Sequence, residues 1–185
     1  MKRLFIALIL LCFSVPCFAG TITIIKKKSG GTTEHLDTTI AGSATSNRWV
    51  NPTSAVTRGQ SFQVTHAGTL TGIDVYFQNV GTIRSCTVRV CAGTDCSTTY
   101  QSNSQNAADG QYVKFTFSSP INVSTSTTYS WAIHLDAGST GDVGMAYADA
   151  AYASGQELIS YDNGSWNLNN TELTSDLRSR IYVTY

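Results

Sequence analysis

The chain has 185 residues, with twelve bases, twelve acids and only 13% charged side chains. This length fits one domain with a sizeable core, and the even charge gives no basic footprint for nucleic acid, which is held by clustered Lys and Arg. Abundant Thr, Ser, Gly and Asn suit β structure, where Thr fills strands and Gly or Asn fills turns.

Lys2-Arg3 precede an unbroken apolar run from Leu4 to Phe13, followed by Ser14-Val15-Pro16-Cys17-Phe18-Ala19. The order of basic, apolar and small residues reads as a secretory signal peptide over residues 1–19, cleaved after Ala19. The run is too short to cross a hydrocarbon core, which takes roughly 20 helical residues. A lipoprotein would need a small residue before its acceptor cysteine, whereas Cys12 follows Leu11 and Cys17 follows Pro16. The mature protein is therefore expected to be secreted, extracellular or periplasmic, with no membrane span. Losing Lys2 and Arg3 leaves ten bases against twelve acids, and nucleic acid is not an expected partner.

Residues 20–57 read as an N-terminal strand and a polar linker or arm. Thr21 to Ile25 alternates Thr and Ile. Lys26-Lys27-Lys28 and Ser29-Gly30-Gly31-Thr32-Thr33 then open a polar stretch running to Asn47. Residues 58–185 read as one β domain. Phe62 and Val64 share a face. So do Ile73, Val75 and Phe77, while Leu70 falls out of phase with them and places a bulge near Gly72. Further inward rows are Cys86, Val88 and Val90; then Val113, Phe115 and Phe117; then Tyr129, Trp131, Ile133 and Leu135; then Val143, Met145 and Tyr147. Ile159 and Tyr161 lead into Asp162-Asn163-Gly164, a hairpin turn signal, and Ser165-Trp166. Leu177, Ser179, Ile181, Val183 and Tyr185 close the chain. Eight to ten short strands without a helical period predict an all-β, two-sheet antiparallel sandwich of jelly-roll type.

Cys86, Cys91 and Cys96 remain after cleavage. Strand alternation puts Cys86 and Cys91 on opposite faces. Cys91 and Cys96 flank Ala92-Gly93-Thr94-Asp95, a turn-forming stretch that a disulfide could close, leaving Cys86 as a buried thiol. A zinc site is the sharper alternative, but no histidine lies near these cysteines in sequence and the compartment is oxidising.

Several segments, in their order, resemble a bacterial and phage-associated family of secreted jelly-roll proteins, the choice-of-anchor domains, which look like lectin-type sandwiches. The carrying strings are Gly59-Gln60-Ser61-Phe62, Gly68-Thr69-Leu70-Thr71-Gly72-Ile73-Asp74-Val75-Tyr76, Thr87-Val88-Arg89-Val90, the run from Val113 to Val123, Thr127-Thr128-Tyr129-Ser130-Trp131-Ala132-Ile133, and Asp162-Asn163-Gly164-Ser165-Trp166. The resemblance covers roughly residues 58–185. It implies a non-catalytic surface or matrix protein and no particular ligand.

Catalytic patterns are scarce. No Gly-x-Ser-x-Gly string occurs, and His35, His66 and His134 are the only histidines. His134 lies on the outward face of its strand beside Asp136 and reads as a solvated surface residue. Glu34, Glu157 and Glu172 are scattered, so no carboxylate pair for glycoside hydrolysis can be read from spacing. An enzyme is not expected, nor is a cofactor. A structural calcium held by the aspartates stays open, although no dense Asp-x-Asp-x-Asp loop is present.

The ligand candidates are aromatic. Tyr147, Tyr152, Tyr161 and Trp166, with Asp162 and Asn163, combine flat rings with planar polar groups. Sugars require this combination, because they offer apolar C–H faces rimmed by hydroxyls. The leading expectation is a secreted binding module for glycans or another cell-surface or matrix component. The alternative is a structural subunit of an extracellular fibre or surface layer, self-assembling by adding Thr21–Ile25 to a neighbour's sheet edge.

Overall fold

The computed structural model describes residues 33–41, 43–50, 56–80, 84–97, 100–139, 142–149, 152–161, 165–172 and 175–185. The signal peptide, the Thr21–Ile25 strand and the Asp162-Asn163-Gly164 turn expected from sequence lie outside the described residues.

In chain order the strands are β1 (Glu34–Ile40), β2 (Ser43–Val50), β3 (Thr57–Phe62), β4 (Gly68–Gln78), β5 (Arg84–Ala92), β6 (Tyr100–Gln101), β7 (Gln105–Ala107), β8 (Gln111–Val123), β9 (Tyr129–Leu135), β10 (Val143–Asp149), β11 (Glu157–Ser160), β12 (Asn170–Glu172), β13 (Ser175–Leu177) and β14 (Ser179–Thr184). They form two antiparallel sheets. Sheet I runs β1-β14-β4-β10-β13, with β2 on β10 and β8 on β4; sheet II runs β12-β11-β3-β9-β5-β6, with β7 on β5. From β3 onward the long strands alternate between sheets, so the chain crosses repeatedly from one layer to the other. The all-β two-sheet sandwich expected from sequence is the observed fold.

Period-2 burial explains the layers. Ile73, Val75 and Phe77 of β4, Val88 and Val90 of β5, Phe115 of β8, Trp131 and Ile133 of β9 and Ile181 and Val183 of β14 all pack into one core. Phe62, Phe77, Phe115 and Trp131 are its largest fully buried side chains. Burying each such ring removes apolar area worth about 2–3 kcal/mol from water.

The bulge expected near Gly72 is present. The register of β4 shifts between Leu70 and Gly72 against β8, and the partner strand β14 shifts between Tyr182 and Val183. Thr71 is the extra residue against β14; its hydroxyl donates to Glu34 Oε1 at 2.6 Å. The bulge lets Leu70 turn inward although it is out of phase with Ile73.

Two features differ from the sequence reading. Part of the stretch expected as linker or arm forms β1 and β2, whose Ile40 and Val50 reach the core. These strands carry few apolar residues because β1 needs only Thr38 and Ile40 turned inward. Tyr185, grouped from sequence with Ile181 and Val183, is instead 51% exposed. Tyr185 stacks between His35 and His66, at centroid distances of 4.6 and 4.3 Å.

The two sheets are also tied by charge. Glu157 of β11 is wholly buried and pairs with Arg58 of β3 and, at 3.0 Å, with Arg48 of β2. Ser175 of β13 adds a hydroxyl donor to the same carboxylate at 2.6 Å.

A groove on the outer face of sheet II

The outward residues of β3, β9 and β11 include Gly59, Ala132 and Leu158, which lie side by side across the sheet. A Cβ on Gly59 would collide with the Trp131 carbonyl and press on Leu168. Gly59 and Ala132 are small and leave room for a chain segment to lie flat on the sheet. Residues 165–169 occupy that room. Leu168 is buried with Ala132, Leu158, Cys91 and Cys96 in a second, small apolar cluster, and Trp166 packs at its margin.

The segment is fixed by the turn after β5. Cys91 and Cys96 form a disulfide with Cα atoms 5.0 Å apart, as their spacing implied. Beside this ring, the Cys96 amide donates to the Trp166 carbonyl and the Leu168 amide to the Thr94 carbonyl, each at 3.0 Å. Asp95 and Asn167 form an isolated antiparallel bridge between them. The disulfide turn thus positions the tryptophan.

Trp166 stands at the wall of a groove of about 460 Å³, also lined by Thr87, Arg89, Gln101, His134, Asp136 and Ser139. Strand alternation supplies most of these. Thr87 and Arg89 point outward from β5, which pairs them with His134 and Ala132 of β9. Gln101 sits opposite Arg89 on β6. The Arg89 guanidinium lies 4.2 Å over the Trp166 ring. Its Nε and Nη2 donate to Gln101 Oε1 at 3.3 and 3.2 Å, and Nη1 donates to the Ser97 carbonyl at 3.0 Å. The side chain is therefore held stacked and forked in one position.

His134 faces Trp166 at 5.5 Å between ring centroids. It is half-buried in this wall, not freely solvated as the sequence reading held. Burial pushes its pKa below the ordinary value, the charge on Arg89 adds to that, and the Leu135 backbone and Asp136 pull the other way. The imidazole is thus neutral at neutral pH.

Asp136 closes the far end. Burial pushes its pKa up, but hydrogen bonds from Ser85, Thr87 and Ser104, with the nearby His134, outweigh burial and hold it below the ordinary value. Thr87 Oγ1 donates to Asp136 Oδ1 at 2.6 Å, and the Ser85 hydroxyl donates to Oδ2. The turn that follows, closed by the Ser139 amide on the Asp136 carbonyl at 3.1 Å, has Gly138 at φ 87°. That left-handed conformation suits glycine.

Of the candidate ligand residues read from sequence, Trp166 lines this groove. Tyr147 belongs to sheet I, where Arg48 stacks 4.2 Å over its ring. The Tyr152 hydroxyl is spent on the backbone of Gln63, accepting from the amide and donating to the carbonyl at 3.1 Å. Tyr161 is exposed at the end of β11. Asp162 and Asn163 lie outside the described residues. Tyr147 is near Trp166 in sequence, but its strand β10 belongs to the opposite sheet. Arg89, Gln101 and His134 were missed as partners because each shows only outward alternation. The signal available was Gly59 and Ala132, small residues on outward positions of neighbouring strands.

Among the described residues no group of three or more His, Cys, Asp or Glu side chains is placed to hold a metal ion, and no helix is long and apolar enough to cross a membrane.

Fold and site together define a disulfide-bearing, two-sheet β-sandwich with an aromatic-walled polar groove on the outside of one sheet. The sequence pattern of DUF4082, a domain of unknown function, matches residues 43–181, and the chain belongs to that family. The match starts at the first residue of β2 and ends within β14. No curated protein matches the chain.

Proposed function

We propose that this protein is a secreted, non-catalytic binding module that holds a glycan in the groove on sheet II. The observation that carries this reading is the meeting of Trp166 with Arg89, Gln101, His134 and Thr87 around one open volume. A sugar ring needs an apolar surface for its C–H face and fixed donors and acceptors for its hydroxyls. The Trp166 indole offers the first, and the amide, imidazole and hydroxyl offer the second. Those groups are braced before any ligand arrives, which lowers the ordering cost of binding.

Secretion is supported by the Lys2-Arg3 leader and by the Cys91–Cys96 disulfide, a bond that persists in oxidising compartments. The lectin-like cast of the choice-of-anchor resemblance points the same way.

The test is a broad glycan array, with and without calcium, using wild type and Trp166→Ala. Binding by the wild type that is lost in a still-folded variant supports the proposal. Silence of the wild type on the whole array overturns it.

A further inference from the structure

The charges around the groove do not balance in place. Arg89 stacks on Trp166 and donates to an amide oxygen and a backbone carbonyl, both neutral acceptors. The acid nearest it in the groove lining, Asp136, is engaged by the hydroxyls of Ser85 and Thr87. Among the described residues, no carboxylate lies within ion-pair distance of Arg89. Arg48 and Arg58 differ from it in that both reach Glu157.

A guanidinium has five N–H donors. Three of those on Arg89 have partners among the described residues, leaving two for a ligand. Guanidinium can donate two parallel hydrogen bonds to a pair of oxygens on a carboxylate or a sulfate, which a lone hydroxyl cannot accept. We infer that the ligand of this groove is an anionic saccharide, whose carboxylate or sulfate is bound by Arg89 while its ring lies along Trp166 and its hydroxyls meet Gln101, His134 and Thr87. This rests on the glycan reading above and narrows it to a chemical class.

The groove has two further titratable groups, His134 and Asp136. Neutral His134 does not compete with Arg89 for the anion, and it gains a positive charge on acidification. Asp136 is the one carboxylate in the groove lining that an anionic ligand meets, and the hydroxyls of Ser85, Thr87 and Ser104 spread that charge.

The experiment is titration calorimetry with matched pairs. One pair is a uronate oligosaccharide and its carboxyl-reduced counterpart; the other is a sulfated oligosaccharide and its desulfated counterpart. The two arms separate carboxylate from sulfate as the preferred anion. The anionic member of at least one pair is expected to bind roughly tenfold tighter or better, as a charge-assisted hydrogen bond provides. Arg89→Gln is expected to erase that preference, so that the two members of each pair bind it equally, whatever the absolute affinity that remains once the Trp166 stack and the Gln101 brace are lost. Arg89→Lys, which keeps the charge but loses the fork and the flat stack, is expected to fall between. Equal affinities within both pairs, or a preference that survives in Arg89→Gln, overturn the anionic class and leave the glycan groove standing. No binding by either member of either pair, with a silent array, overturns both.

Discussion

The backbone amide of Cys96 donates a 3.0 Å hydrogen bond to the carbonyl of Trp166, so the small disulfide ring and the groove's aromatic wall form one unit. Breaking the ring has two expected consequences. In the chain-entropy model, so short a loop contributes about 2 kcal/mol of stability. Cys91→Ser/Cys96→Ser is expected to lose about that much in urea unfolding, and reductant should do the same to wild type. It should also weaken ligand binding at the groove, because the 165–169 segment loses its anchor. A variant with full affinity would show that the segment is held without the disulfide.

Trp166→Ala removes an indole that packs at the margin of the small apolar cluster on sheet II and carries the Arg89 stack. A half-buried aromatic and one cation–π contact together give an expected cost of about 1–3 kcal/mol. The main core does not contain this residue, so the far-ultraviolet spectrum should stay that of a β protein. Binding should be lost altogether, and this separates Trp166 from Arg89, whose removal is expected to shift preference.

The main layers were legible from period-2 alternation because their inward rows are strongly apolar. Tyr129, Trp131, Ile133 and Leu135 are all buried, and the phase slip between Leu70 and Ile73 marks the bulge in the sequence itself. β1 escaped notice because an edge strand can be held by Thr38 and Ile40 alone on its inner side. The groove escaped for a different reason. Trp166 and Arg89 are 77 positions apart, and what joins them is the 165–169 segment lying back across sheet II. Local alternation says which face a side chain takes, and it does not say which distant segment covers that face.

Glu157 is fully buried between Arg58 and Arg48, with Ser175 on the same carboxylate. Removing its charge leaves two guanidiniums without their anion inside the sandwich. Breaking a buried ion pair from one side typically costs about 3–5 kcal/mol, and Glu157→Gln is expected at the lower end because the amide still accepts one hydrogen bond. Equilibrium unfolding in urea measures it. A loss well under 1 kcal/mol would show that water already solvates the pair, since exposed pairs contribute roughly that little.

Acid should unfold the domain through its hydrogen-bonded carboxylates. Burial pushes Asp37 up, but donors from Thr65, His66 and Thr38 outweigh it and hold the group below its ordinary value. The Thr65 amide reaches its Oδ2 at 2.7 Å and the His66 amide its Oδ1 at 3.0 Å, tying β1 to the turn after β3. A carboxylate more acidic in the folded state stabilises that state above its ordinary pKa, and the contribution is lost as pH falls through the folded value. Asp136 behaves in the same way. Thermal melts from neutral pH downward should soften first through the ordinary histidine range, where half-buried His134 resists protonation in the folded state, and then drop further through the carboxylate range. Asp37→Asn is expected to cost about 1–2 kcal/mol at neutral pH from lost charged hydrogen bonds, with the gap to wild type closing in acid. A constant gap across the range would remove Asp37 from the account.

Cys86 offers a direct probe of the sandwich interior. Its side chain points inward from β5 and is fully buried, and burial, reinforced by the charge on Asp136, pushes its thiol up to about 12. The thiolate is the reactive form, so the folded protein holds almost none of it at mildly alkaline pH. Iodoacetamide at pH 8 is expected to leave Cys86 unmodified in the native state and to label it fully in denaturant, as read by intact mass. The labelling rate should rise with urea along the unfolding transition. Global opening is the only route by which a side chain between Val88, Ile133 and Leu135 and the opposite sheet meets solvent. Rapid labelling of the native protein would mean that β5 detaches locally. The Arg89 side of the groove would then be mobile too, because Cys86 and Arg89 ride on the same strand.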